Sequence, residues 1–466
     1  MNYRTGQVVD VTAVDVAHGG WCVARPADGP VVFVRHALPG EQVRARITEV
    51  TSHLARAEAV EILTASPDRV KPACPHAAPA GCGGCDWQHA ALPAQRLLKA
   101  AVIRAQLRRL AGIDREVTVE PLPGDADGGD PRPGRRAEGL GWRTRVQFAV
   151  REDGVAGLRA HRSHRVINVG ECLIAHPAIT EMAVPARRWP GMASVGAVVG
   201  TGSGETALIV SPGRTGASPD RSVSIDGVTA GSVLRRAGHS LTPVRGRPYL
   251  TQQAAGRDWR VSAEAFWQVH PAAADVLAGA VVAGLGPVPG DVALDLYCGV
   301  GLFAGVLAPA VGPGGTVIGV EADRAAVRDA RHNLREWPWV RVYRGDVAMV
   351  VREGEPPATP RDREGPSSRT PREPARQAGH RRALPPARVV VADPPRAGLA
   401  GEVIEYLSSV RSGARRFAYV SCDPATLARD IGRLATHGWI LDGLRAFDAF
   451  PMTHHVECVA ILAAPE

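Results

Sequence analysis

Cys422 and Glu457 have the side-chain types that suit a carbon alkylation. Ser421-Cys422-Asp423-Pro424 follows the apolar run Phe417 to Val420, which reads as a strand. The thiol then stands at the carboxyl edge of a sheet, where open α/β folds hold their ligands. A thiolate is a good agent for addition to carbon 6 of a pyrimidine, and that addition turns the otherwise poor nucleophile at carbon 5 into one that can attack a sulfonium methyl group. A base must then take the carbon 5 proton so that the thiolate can leave. Glu457, in His454-His455-Val456-Glu457 ahead of an apolar final strand, is the candidate for that step. Taken singly, Cys422 reads as a small core residue and Glu457 as a solvated strand-start acid. Their joint occurrence with a ligand loop makes them a candidate catalytic pair. Cys298, inside that loop, and Cys458, in an apolar strand where an inert thiol is expected, are weaker nucleophiles; Cys22 reads as structural.

The ligand loop is Asp295-Leu296-Tyr297-Cys298-Gly299-Val300-Gly301, directly after an apolar strand and opening a helix. Its glycines let the backbone approach a ligand, and Glu321, closing the next strand, can accept both ribose hydroxyls of an adenosine. A lone Gly-x-Gly also fits a structural turn or a nicotinamide site. Ala304 stands where a dinucleotide fingerprint has its third glycine, and Asp393-Pro394-Pro395-Arg396 closes the fourth strand, so S-adenosylmethionine is favoured over a dinucleotide.

Cys74, Cys82 and Cys85 are spaced C-x7-C-x2-C, and Cys172 lies 87 residues further on. Four thiolates can bind zinc or an iron–sulfur cluster. Three close ligands with a distant fourth favour the cluster, and Gly83-Gly84 suits a tight loop around it. Buried, metal-free cysteines are the plain alternative.

These groups need elements to position them. At 466 residues two or three domains are expected. Short β-type runs over residues 3 to 63, separated by Gly and Pro turns, suggest a five-stranded OB-like barrel. The stretch Leu92 to Leu110 has helical spacing, with four arginines and a lysine on its polar side. Residues 122–139 read as a flexible loop, and Trp142 to Pro243 as a second β-rich region. From about 251, helices alternate with the apolar strands Val292 to Leu296, Thr316 to Val320, Val389 to Ala392 and Phe417 to Ser421, the pattern of a parallel, doubly wound sheet. Residues 352–386, with eight prolines among many Arg, Glu and Ser, cannot bury enough apolar surface to order and read as a disordered insertion.

Composition excludes more than it selects. Hydrophobic content of 45% with 22% charged residues is ordinary, and a net charge of +8 suits a polyanionic partner without demanding one. The N-terminus lacks a secretory pattern. The longest apolar run, Leu296 to Val311, spans 16 residues, contains three glycines and a proline, and is too short to cross a membrane. Eight cysteines fall far below a secreted disulfide scaffold, which points to a reducing cytoplasm.

At this point the motifs resemble the RNA uracil-5-methyltransferase family over nearly the whole chain. Cys82-Gly83-Gly84-Cys85-Asp86-Trp87-Gln88-His89, Phe266-Trp267-Gln268-Val269-His270-Pro271, Asp295 to Gly301, Asp393 to Gly398, Ser421-Cys422-Asp423-Pro424 and His455-Val456-Glu457 form the ordered set. The resemblance implies three parts: a TRAM barrel over 1–66, a β-rich iron–sulfur domain over 67–250 whose helical part near 91–112 packs on the catalytic domain, and a Rossmann-like class I methyltransferase domain over 251–466. It implies cofactor contacts from Gln268, Tyr297, Glu321, Asp346 and Asp393, a 4Fe-4S cluster on Cys74, Cys82, Cys85 and Cys172, Cys422 as nucleophile and Glu457 as base. The expected partner is RNA, ribosomal ahead of transfer, acted on by a monomer without a membrane. Arg143 and Arg145, beside Trp142, are candidate phosphate contacts. The first cysteine spacing is longer than the family's usual one, and Leu302 and His270 replace asparagines common there. RNA cytosine-5 methylation, amino-group methylation beside Asp393-Pro394-Pro395, and a non-catalytic RNA-binding role stay open.

Overall fold

The structure is a computed structural model that describes residues 3–26, 29–125, 139–213, 227–238, 240–354 and 383–465. The loop expected over 122–139 and the insertion expected over 352–386 fall mostly outside the described residues. The chain divides into one unit of Met1–Val276, Cys422–Ala428 and Arg445–Cys458, and a second of Leu277–Ser421, Arg429–Leu444 and Val459–Glu466. Among the described residues no helix is long and apolar enough to cross a membrane.

In the first unit, β1 (Val8–Ala17), β2 (Trp21–Ala24), β3 (Val31–Arg35), β4 (Gln42–Val50) and β5 (Leu54–Thr64) close into a barrel in the order β1-β2-β3-β5-β4. Alternation along each strand turns Val11, Ala13, Val43, Ala45, Ile47, Ala55 and Ala57 inward, and the small alanines suit a barrel too narrow for larger side chains. Closure also leaves no free strand edge. Helix α1 (Leu92–Gln106) follows, with a proline in its first turn; it runs into a π-helical turn, Leu107–Ala111, that left-handed Gly112 ends. The expected polar face is wrong at one position. Arg96, Arg104, Arg108 and Arg109 are joined in the sequence pattern by Lys99, yet Lys99 is only 1% exposed, because its ammonium bonds to the buried carboxylate of Asp448.

Strand β6 (Val119–Pro121) pairs in parallel with Ala446–Asp448. Then β7 (Arg145–Val150), β8 (Ala156–Arg159), β9 (Val166–Ile167), β10 (Met192–Val199), β11 (Thr206–Pro212), β12 (Ser232–Ala237) and β13 (Ser240–Arg245) form a sheet in the order β13-β12-β11-β10-β7-β8-β9, with α2 (Pro177–Glu181) between β9 and β10. Phe148, Trp189, Val195, Leu208 and Val210 sit in its core. The hairpin β14 (Tyr249–Ala254) and β15 (Arg257–Ser262) comes next, and α3 (Ala273–Leu285) leads into the second unit.

From there strands and helices alternate along the chain: β16 (Val292–Leu296), α4 (Leu302–Val311), β17 (Thr316–Glu321), α5 (Arg324–Asn333), β18 (Val340–Arg344), α6 (Val347–Glu353), β19 (Val389–Ala392), α7 (Gly401–Leu407), β20 (Arg416–Ser421), α8 (Pro424–Ala435), β21 (Ile440–Asp448) and β22 (Glu457–Ala463), the start of α8, the end of β21 and the start of β22 being counted with the first unit. The strands run in the order β18-β17-β16-β19-β20-β22-β21, and β16 to β20 pair in parallel. This is the doubly wound sheet expected; burial on both faces explains continuous apolar runs such as Val389–Ala392. Strands β18 and β21 go beyond the expectation, since Arg341, Arg344, Asp442 and Gly443 interrupt their apolar runs. The Ala464 N–H donates to the Arg415 carbonyl at 3.0 Å, so β22 runs against β20 and starts at the edge where β20 stops.

Candidate active site

In the second unit the loop after β16 turns sharply. Tyr297 has φ 66°, Gly299 54° and Gly301 94°. Gly301 starts α4, and a Cβ there would meet Leu334 Cδ1 at 2.8 Å, so only glycine fits both the conformation and the space. The Gly299 N–H donates to Glu321 Oε2 at 3.0 Å and the Asp323 N–H to Oε1 at 2.7 Å, which fixes the Glu321 carboxylate at the end of β17. Asp295 is fully buried. Its Oδ2 accepts from the Ala304 N–H at 2.7 Å, while Oδ1 is buried without a hydrogen-bond partner among the described residues. Burial, with the charges of Asp393 and Glu321 adding to it, pushes the Asp295 carboxyl well above its ordinary value. Burial holds Asp393 up to about 7. Three carboxyl groups thus converge at the carboxyl ends of β16, β17 and β19.

Tyr297 stands beside them, its phenol pushed up to about 12 by burial while it hydrogen-bonds the backbone of Ala400. Asp346 is exposed and caps α6, accepting from the Met349 N–H at 3.1 Å. Gln268 belongs to the first unit and is 6% exposed. Its loop is held on both sides: Val269 O accepts from the Thr144 N–H and hydroxyl, each at 2.9 Å, and His270 Nε2 meets Asp125 Oδ2 at 2.7 Å.

Also in the first unit, Cys422 directly follows β20 and Glu457 opens β22. Glu457 is 3% exposed and Cys458 fully buried. Burial raises the Cys458 thiol well above its ordinary value, and the charges of Glu457, Cys422 and Asp423 raise it further, so all three groups lie within electrostatic reach of it. Asp423 Oδ1 accepts from the Thr426 N–H at 2.8 Å and Oδ2 meets His18 Nε2, in the β1–β2 turn, at 3.1 Å. Burial works upward on Asp423, but the His18 hydrogen bond and its companions hold the carboxyl below its ordinary range.

Distant segments clamp the stretch that leads to Glu457. Asp86 and Trp87, from the cysteine loop, both donate backbone N–H groups to the Met452 carbonyl at 3.0 Å. Asp86 Oδ2 pairs with His454 Nδ1 at 2.6 Å, and Oδ1 with Arg35 at 3.2 Å. Desolvation would raise the Asp86 carboxyl, yet the His454 hydrogen bond and charge, with Arg35, keep it well below the carboxylate range. On α1, Gln95 accepts from the Met452 N–H at 2.8 Å, and Lys99 donates to the Phe450 carbonyl at 3.1 Å and to Asp448. Burial pulls the Lys99 ammonium down while Asp448 pulls it up.

Cys74, Cys82, Cys85 and Cys172 line one cavity together with Gln88, Arg143 and Glu171. Gln88 donates to Cys85 Sγ at 3.2 Å and accepts from the Cys74 N–H at 3.0 Å. Burial pushes the Cys82 thiol up to about 11 and raises Cys85 and Cys172 as well. Among the described residues no three ligand side chains close on a point as they would around a single metal ion. Arg145, a candidate phosphate contact, is half-buried and donates to the Ala265 carbonyl at 2.9 Å; desolvation brings it down to about 10.

A family model described as tRNA (Uracil-5-)-methyltransferase matches residues 373–464, and a TRAM domain model matches residues 3–60. An uncharacterized RNA methyltransferase of Streptomyces avermitilis is 46% identical over 464 residues, covering 98% of this chain and 98% of its own. Another, from Streptomyces coelicolor, is 46% identical over 98% of this chain and 93% of its own. The chain belongs to the RNA uracil-5-methyltransferase family. Its fold is shared by the solved tRNA (uracil-54, C5)-methyltransferase of Pyrococcus abyssi in complex with S-adenosyl-L-homocysteine, at TM-score 0.66 and 21% identity over 98% of this chain and 100% of that one.

Sequence reasoning missed the supports of this methyltransferase's site: His18, Asp86, Gln95, Lys99 and His454. Asp86, directly after Cys85, and His454, three residues before Glu457, both sit in quoted motifs and are the readable signals. His18 and Lys99 act across 405 and 349 residues of chain, a separation that no local pattern encodes.

Proposed function

We propose that this methyltransferase moves a methyl group from S-adenosylmethionine to carbon 5 of a uridine in RNA, through a covalent bond between Cys422 and carbon 6. The placement of Cys422 at the end of β20 and of the buried Glu457 at the start of β22, both within electrostatic reach of Cys458, supports the proposal. Cys422 adds to carbon 6 and carbon 5 becomes nucleophilic. The bound cofactor supplies an electrophilic methyl group. Glu457 then takes the carbon 5 proton, the carbon 5–carbon 6 double bond re-forms, and the Cys422 thiolate leaves. Burial of Glu457 keeps water from competing for that carboxylate, and the Asp86–His454 pair and the Met452 hydrogen bonds hold its approach.

The residues present fit the cofactor. Glu321 is oriented by two backbone N–H groups toward hydrogen-bond donors such as ribose hydroxyls, the unpartnered Oδ1 of Asp295 offers an acceptor, and a Cβ at Gly299 would meet nothing within 4 Å. Tyr297, Glu321, Asp346 and Asp393, with Gln268, are the proposed contacts. Asp346 would do so from the cap of α6, where it is exposed.

The four thiols share one cavity, as the ligands of an iron–sulfur cluster must, and are the proposed ligands of one. Such a group would hold the cysteine loop in place and takes no part in the methyl transfer. A brown protein with broad visible absorption supports this, and a colourless, zinc-loaded one contradicts it. The N-terminal barrel suits an RNA substrate, which the reading takes as ribosomal ahead of transfer RNA and acted on by a cytoplasmic monomer.

The test is methyl transfer to RNA from cells lacking the enzyme, followed by nucleoside digestion. The reading expects 5-methyluridine with the wild type and none with Cys422→Ala. Retained activity in that variant removes the mechanism, and 5-methylcytidine as the product replaces the substrate.

A further inference from the structure

We infer that an open cavity beside the cysteine loop, walled by Gly83, Arg143, Arg159, His161 and Arg162, is a phosphodiester site for the substrate RNA. The inference rests on the proposed RNA-methylating function and names where the strand is held.

The cavity has a volume of about 340 Å³, and its lining contains three arginines and a histidine but no carboxylate. The cations are not consumed by ion pairs within it. Arg143 Nε donates to the Arg145 carbonyl at 3.0 Å, and Arg159 reaches the His164 ring at 3.4 Å. Arg162 lies 3.7 Å from Glu49, whose carboxylate is already engaged by Arg56 at 2.6 Å. His161 Nε2 is buried with no hydrogen-bond partner among the described residues. Three arginines whose one ion-pairing carboxylate among the described residues, Glu49, is shared with Arg56 favour an anion, and arginine forks match phosphate oxygens.

The wall is built rather than incidental. Cys82 pairs with Ala160 as an antiparallel bridge, and the Gly83 N–H donates to the Arg159 carbonyl at 3.1 Å. A Cβ on Gly83 would lie 2.7 Å from His161 Cα, so only glycine allows this approach. Arg162 holds a left-handed φ of 46°, a conformation that is strained in a non-glycine residue and persists where the surroundings impose it. Its guanidinium also rests 5.7 Å from the Trp21 ring centroid, which limits its freedom before any ligand arrives. Contacts of this kind set register and affinity without reading sequence.

The experiment measures binding of a fluorescent single-stranded RNA oligonucleotide by the full-length protein across a salt series, with steady-state methylation in parallel. Each phosphate contact on a single strand contributes about 0.7 to the slope of log affinity against log salt. Arg159→Gln/Arg162→Gln should therefore flatten the slope by about 1.4 and weaken low-salt binding about tenfold. It should raise KM for RNA more than it lowers kcat. Arg159→Lys/Arg162→Lys keeps the charge and should keep most of the slope, which separates lost contacts from a damaged fold. An unchanged slope and KM overturn the inference. So does variant-sensitive binding of inorganic phosphate or uridine monophosphate with RNA binding unaffected, which would make this a small-anion site. A wild type that methylates no RNA, while the double variant still loses slope, would sink the proposed function and leave the phosphodiester site standing.

Discussion

The loop after β16 and the shelf that carries Cys422 and Glu457 are assembled by different means. Glu321 reaches Gly299 across 22 residues and Asp295 reaches Ala304 across 9, so the first is a local strand–loop–helix device within one parallel sheet. The shelf depends on His18, Asp86, Gln95 and Lys99, whose partners lie between 349 and 405 residues away. A local device survives as long as its strand and helix survive. A shelf held by buried polar contacts from the barrel, the cysteine loop and α1 can fail while the sheet stays folded. Damage to the shelf should then impair chemistry before it impairs cofactor binding, and damage to the loop should do the reverse.

The sharpest way to break that comparison is Lys99→Met, which leaves the 2%-exposed Asp448 carboxylate without its cation. Loss of one partner of a buried pair costs about 3–5 kcal/mol, so the variant should lose several degrees of thermal midpoint and most methylation. Titration calorimetry should show cofactor affinity little changed, and an equal loss of cofactor affinity would dissolve the distinction. Asp86→Asn comes next. It keeps the shape but weakens charged hydrogen bonds worth about 1.5–3 kcal/mol, and should lower kcat more than KM, with the covalent RNA adduct released more slowly in single-turnover gels.

On the other side, Glu321→Gln removes one of two oxygens that accept backbone N–H groups. It should weaken S-adenosylmethionine binding about tenfold, roughly 1.4 kcal/mol, while leaving adduct formation with 5-fluorouracil RNA at saturating cofactor intact. Asp393 offers a pH test. Burial lifts its carboxyl from 3.8 to about 7, so in that window the folded state keeps a proton that the unfolded chain has released, and the contribution to stability falls as pH rises. Relative to Asp393→Asn, the wild type should lose thermal midpoint from about pH 4 to about pH 7; parallel curves would contradict it. The smallest effect belongs to His18→Gln, because side chains 37% and 23% exposed make a contact worth less than about 1 kcal/mol.

How much of this could be read in the sequence follows the same division. The strands ending at Leu296, Glu321, Ala392 and Ser421 were readable because buried parallel strands are continuous apolar runs bounded by glycine and acidic residues. The barrel was readable from alternation between turns. Lys99 was misread because helical spacing says which face a residue occupies, not whether a carboxylate waits beneath it. Arg145 shows the same limit: a strand-start arginine next to an aromatic looks like an RNA contact, and sequence spacing does not disclose its hydrogen bond to the Ala265 carbonyl. His18 gives no signal, and His454, though quoted in the motif that leads to Glu457, gives none of its partner, since ion pairs across such separations depend on the fold already being formed.

The division of labour between Cys422 and Glu457 is tested most directly by incubating Glu457→Gln with substrate RNA and S-adenosylmethionine and reading the intact product by mass spectrometry. The account predicts a stable protein–RNA adduct that already carries the new methyl group and is joined at Cys422, because the carbon 5 proton has no acceptor. Free methylated RNA released at the wild-type rate, or an adduct joined at another cysteine, would contradict it.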